Sequence, residues 1–109
     1  MATAKMLRDL ALALDGTVEA PHFERLAFKA RRIYVTLDPD KKTANFYFTP
    51  EEQEMKAAIY PGAFIPLDNK WGTSGWTKAI LSKLSKEELR AALEMAYVHG
   101  AAKLGRGRR

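Results

Sequence analysis

Three short alternating runs stand in a row in the first half of the chain, and they decide what kind of fold it can adopt. In residues 26–30, Leu26, Phe28 and Ala30 share one parity, and Ala27 and Lys29 the other. In residues 33–37, Ile33, Val35 and Leu37 oppose Tyr34 and Thr36. In residues 43–48, Ala44, Phe46 and Phe48 oppose Asn45 and Tyr47. A period of two marks strands with one buried face, because successive side chains leave a strand on opposite sides. The links between the runs are Arg31-Arg32 and Asp38-Pro39-Asp40-Lys41-Lys42. Neither can hold a crossover helix, so an antiparallel meander is expected.

A sheet with one apolar face needs a cover, and the flanking sequence supplies helices. Leu7, Leu10, Ala11 and Leu14 recur at helical spacing over residues 5–14, and Asp15-Gly16 gives a stop. Thr49-Pro50-Glu51-Glu52 combines a cap, a proline at the first helical position and a capping box. Ser85 and Glu88 repeat the capping box before a helix whose apolar side holds Leu89, Ala92, Leu93 and Ala96. Residues 17–23, broken by Pro21, read as an extended edge piece. Residues 77–81 read as a last strand after the turn Trp71-Gly-Thr-Ser-Gly-Trp76. The expected order is α-β-β-β-β-α-β-α. It predicts a two-layer α+β sandwich, its antiparallel sheet covered on one face by the N- and C-terminal helices.

The chain has 109 residues and 47% hydrophobic content, enough for one core, so residues 1–102 are expected to form a single domain. It has no cysteine, which excludes disulfides and thiolate metal sites. No apolar run approaches spanning length, so no membrane partner is expected, and a cytoplasmic monomer is the default. The net charge of +5 is unevenly placed. Residues 1–102 hold 14 Lys and Arg against 13 Asp and Glu, while 103–109 add Lys103, Arg106, Arg108 and Arg109. That basic tail is expected to be disordered.

An ordered set of features resembles the MmcQ/YjbR family. It comprises Pro21-His22-Phe23, the strand at residues 26–28, Tyr34 through Asp40, and Pro50-Glu51-Glu52-Gln53. It continues with the Pro61, Phe64, Pro66 crossing, Trp71-Gly72 with Gly75-Trp76, and the helix start from Ser85 to Leu89. The resemblance spans roughly residues 5–100. It implies a compact α+β fold similar to that of frataxin, of the CyaY-like kind, and a loose association with DNA binding. It implies no catalytic residues. Ala30-Arg31-Arg32 departs from the more usual glycine-containing hairpin turn.

Two candidate surfaces follow. The sheet face turned away from the helices is expected to carry Lys29, Tyr34, Thr36, Asn45 and Tyr47, with Arg31 and Arg32 at the adjoining hairpin. Between Arg25 and Arg32 there are four cations and no acid. Cations neutralise phosphates and tyrosine faces accept stacked bases, so this face predicts weak, phosphate-directed DNA binding with little sequence specificity. Lys29, Arg31 and Arg32 would meet phosphates, Tyr34 and Tyr47 would stack, and Lys41 and Lys42 would form a basic loop tip. The plain alternative is a solvated sheet face. The second surface is the Trp71–Trp76 region, which suits a protein-interaction or small-ligand module. There Trp76, at a strand start, reads better as a core plug, while Trp71 divides evenly between core and surface. His22 is a candidate ligand contact, although no cluster of metal-ligand spacing surrounds it.

Catalysis is not expected, and neither a cofactor nor a metal is called for. Ser74 lacks a Gly-x-Ser-x-Gly frame and an evident base. The first helix offers only Asp9 and Asp15 beside Lys5 and Arg8, unlike the carboxylate-rich iron surface of frataxins.

Overall fold

A computed structural model describes residues 1–102 of the chain; the basic tail at 103–109 lies outside the described residues. The element order is α1 (Ala4–Leu12), β1 (Val18–His22), β2 (Arg25–Lys29), β3 (Ile33–Leu37), β4 (Thr43–Tyr47), α2 (Pro50–Ile59), β5 (Phe64–Pro66), α3 (Lys70–Thr73), β6 (Trp76–Ile80) and α4 (Lys86–Ala101). A short 3-10 turn, Leu81–Lys83, joins β6 to α4. The six strands form one antiparallel sheet in the order β1-β2-β3-β4-β6-β5. The α+β sandwich is therefore as expected, with two additions. The Phe64–Pro66 crossing adds an edge strand, and the tryptophan turn contains one helical turn, capped by Asn69 through bonds to the backbone N–H of Trp71 and Gly72.

Register explains how the core is built. Phe28, Val35, Phe46 and Thr77 lie in one row, and Leu26, Leu37, Ala44 and Ala79 in the next, all turned toward the helices. Phe46 stacks on Phe48 at 5.7 Å between centroids and meets Phe64 edge-on at 6.3 Å. Leu89, Leu93 and Ala96 of α4 and Leu7 and Ala11 of α1 close over them, fully or almost fully buried. Both capping boxes form: Thr49 with Glu52, and Ser85 with Glu88. Glu52 does more than cap, because its Oε1 also lies 2.8 Å from Nε2 of His99 and so joins α2 to α4.

A bulge corrects the expected face of two residues. Phe28 pairs with Val35 but Lys29 pairs with Ile33, which leaves Tyr34 as the extra residue of β3. The extra residue inverts parity. Tyr34 turns under the helices, fully buried, with its ring edge-on to Tyr97 at 5.5 Å, and Ile33 moves to the opposite face. The Tyr34 hydroxyl lies 2.8 Å from Thr17 Oγ1 and donates a longer bond to the Ala11 carbonyl oxygen. Burial pushes its pKa above the ordinary phenol value. Tyr34 is thus a core residue and offers no stacking face. Tyr34→Phe should lower stability by about 1 kcal/mol, the worth of one buried hydrogen bond, as read from chemical denaturation midpoints at unchanged slope.

A candidate ligand groove on the open sheet face

The face turned away from the helices carries the remaining parity. Rows across it include Ala27, Thr36, Asn45 and Lys78 in register, with Tyr47 beside Trp76 one step along. Two connections rise over this face and make it concave. One is the β1–β2 hairpin, whose loop is only Phe23-Glu24 between the paired His22 and Arg25. The other is the segment from Leu67 through α3. Between them lies a groove of about 490 Å³, within the range typical of small-ligand sites. Ile33, Thr36, Asn45 and Trp76 contribute from the strands, His22 and Phe23 from the hairpin, and Leu67 and Trp71 from the second connection.

Each wall is held by identifiable contacts. Phe23 has φ 59°, in the left-handed region that a residue with a Cβ seldom occupies, and it is 94% exposed. A first loop position with positive φ is what a two-residue hairpin demands, usually of glycine. Arg25 braces the hairpin against β3. Its Nε donates to Thr36 Oγ1 at 2.8 Å and its Nη1 to Asp38 Oδ1 at 2.6 Å. The backbone N–H of Asp40 donates to Asp38 and, with the Arg25 guanidinium, holds its carboxyl below the usual carboxylate range against the opposing effect of burial.

On the other side, α3 is tied down from below by Gln53 of α2. Its Nε2 donates to the carbonyl oxygens of Gly72 at 2.9 Å and Trp76 at 3.0 Å. This anchoring leaves Trp71 58% exposed, while Trp76 stacks on Tyr47 at 5.1 Å with rings 20° from parallel.

The two surfaces read from sequence fare differently. His22, Trp71 and Trp76, far apart in the chain, line one groove. Trp76 is half-buried on the open face, a groove wall and not a core plug, because its parity matches Lys78 and Ile80. Tyr47 is half-buried beneath it, its ring partnered by Trp76 and by His99 at 6.0 Å. The expected cationic residues do not share one patch. Lys29 is exposed on the open face. Arg31 and Arg32 stand in the β2–β3 hairpin, where their backbone N–H groups donate to the Gly100 carbonyl oxygen and close the end of α4. Arg32 is half-buried, with its Nε enclosed and unpaired. Lys41 and Lys42 are exposed in the β3–β4 hairpin, at the opposite end of β3. Consecutive hairpins of a meander necessarily sit at opposite ends of the strand they share, so the two basic pairs are separated by the length of β3, about 17 Å.

The sequence does not single out Phe23, Ile33, Leu67 or Gln53 for this site: Phe23 lacks the Gly or Asn signature of a tight hairpin, and strict alternation puts Ile33 on the helix-covered face.

The YjbR family model matches residues 12–99, which include every wall of the groove. The chain belongs to the MmcQ/YjbR family. No curated protein matches the chain. Among solved structures, the crystal structure of the Deinococcus radiodurans protein DR2400, with a DUF419 domain, is similar at a TM-score of 0.76 and 24% identity. The match covers 91% of this chain and 78% of that one, and it supports the fold assigned to this MmcQ/YjbR member. No helix of the described residues is long and apolar enough to cross a membrane.

Proposed function

We propose that this MmcQ/YjbR domain is a binding module, not a catalyst, and that its ligand lies in the groove on the open sheet face. One observation carries the reading. Phe23 and Trp71, two large aromatic side chains left mostly in water, line the same concavity from separate connections. Phe23 is held there at a backbone geometry that costs about 1–2 kcal/mol for a residue with a Cβ. Solvent exposure and strain both argue against a packing role for this side chain, and strained residues concentrate at functional sites. Phe23→Gly should therefore separate the two properties. Stability should stay level or rise by as much as about 1 kcal/mol, and groove binding should fall. Thermal melts paired with a ligand titration of the same variant check this; a loss of stability beyond about 1 kcal/mol would give Phe23 a structural job and weaken the reading.

A second reading, weak phosphate-directed DNA binding, is favoured by the placement of Lys29 and Lys78. Their register partners, Ile33 and Asn45, both line the groove. Cations on the strands to either side of an aromatic groove suit a nucleic-acid strand better than the separated hairpin tips do. Titration with single- and double-stranded DNA at two ionic strengths tests it. A steep fall in affinity with salt, reduced by Lys29→Glu with Lys78→Glu and not by Arg31→Glu with Arg32→Glu, is the expected result. Affinity indifferent to salt rules the reading out and leaves the groove to an uncharged ligand.

A further inference from the structure

We infer that the groove takes an unpaired nucleobase carrying a phosphate; the inference rests on the groove being the binding site. Its starting point is the polar equipment left over after the protein has satisfied itself. Thr36 Oγ1 accepts from Arg25, and the Arg25 guanidinium is engaged by Thr36 and Asp38. Asn69 Oδ1 caps α3. The Asn45 carboxamide, half-buried on β4 within the groove, makes no hydrogen bond with another described residue.

That group restricts the occupant. A wholly apolar ligand would cover the amide and leave it without a partner, which is costly for any buried polar group. A ligand with a neighbouring donor and acceptor on one edge would pair with both ends of the amide. Nucleobases carry that pair of groups, and an asparagine carboxamide meets adenine in this way. The same ligand must also be flat. Trp71 and Phe23 line the groove with large, mostly exposed aromatic rings, and such rings can stack on any base.

The rim supplies the last element. Lys29 and Lys78 stand one strand away from Ile33 and Asn45, about 5 Å in the hydrogen-bonding direction. Neither forms an ion pair with a described residue. Their ammonium groups are available to a phosphate attached to the base. A base within a duplex is excluded, because its faces are already covered by its stacked neighbours and offer nothing to the aromatic rings. The base can come from a free mononucleotide or from a single strand.

The test is an NMR titration of the full chain with five probes: adenosine monophosphate, adenosine, ribose 5-phosphate, indole and a short single-stranded oligodeoxyadenosine. The monophosphate should move the side-chain amide signals of Asn45 and the indole N–H signal of Trp71. Ribose 5-phosphate should bind at least about tenfold more weakly, since stacking and edge pairing are both lost. Adenosine should bind more weakly than its monophosphate at low salt, with the gap closing as salt rises. Asn45→Leu, or Asn45→Thr should the leucine variant fold poorly, should weaken monophosphate binding about tenfold and leave indole binding intact. The oligonucleotide binding more tightly than the monophosphate assigns a strand as the source, and equal affinity assigns a free nucleotide; both outcomes support the inference. Indole moving the groove signals while adenosine and its monophosphate do not overturns the inference and leaves the groove reading standing. Silence from all five probes overturns both.

Discussion

Gly75→Ala should cost the domain more than about 3 kcal/mol, an unusually large effect for adding one methyl group. Gly75 has φ +114°, and a Cβ built on it would lie 1.9 Å from the Phe48 carbonyl oxygen and 2.8 Å from its carbon. Both obstacles are backbone, so no rotamer change relieves them. Domains of this size are stable by only about 5–15 kcal/mol, so the variant should melt at least about 12 °C lower or accumulate as insoluble protein. Gly16→Ala is the matched control. Gly16 also has positive φ, +78°, but nothing lies within 4 Å of its added Cβ. It should cost only about 1–2 kcal/mol, the penalty of the left-handed backbone alone. Equal losses in the two variants, measured by chemical denaturation, would contradict the close approach of the α3–β6 link to the end of β4.

That contrast shows what the sequence disclosed and what it withheld. The spacing of Gly72 and Gly75 between two tryptophans announces a tight segment, and Gly75 does adopt positive φ. It cannot announce that Gly72 is needed for contact: a Cβ there would lie 1.8 Å from the Leu67 carbonyl oxygen. Local rules served well where the interactions are local. The capping boxes at Thr49 and Ser85 form as read, because their partners are three residues away. The alternation of β4 was legible because nothing interrupts it. In β3 the bulge moved Tyr34 into the core and Ile33 out of it, and a bulge is set by pairing with β2, which parity alone does not report. The groove depends on two distant connections meeting over β3 and β4. Its tryptophans and His22 could be named beforehand, but their meeting could not.

Trp71→Ala should abolish binding in the groove and leave the fold intact. The side chain is 58% exposed, and its backbone is held without it, by Asn69 at the helix start and by Gln53 at the Gly72 carbonyl. Removal should therefore change stability by less than about 1 kcal/mol. Loss of a stacking tryptophan weakens binding by about 1–3 kcal/mol, roughly five- to 150-fold, which takes a weak ligand beyond detection. Charge reversal at Arg31 and Arg32 should have no comparable effect, since neither lines the groove. Calorimetric titration of both variants with one ligand distinguishes an aromatic site from an electrostatic one. Should Trp71→Ala bind as the parent does, the ligand is held elsewhere.

The most direct test of the central claim, that the open sheet face is the working surface, is a map of amide and indole NMR signals across residues 1–102 during titration with small planar ring compounds. The account predicts perturbations gathered on Asn45, Trp71 and Trp76, with α1 and α4 unaffected. Perturbations gathered on the outer sides of α1 and α4, or at Lys41 and Lys42 with the groove silent, would contradict it.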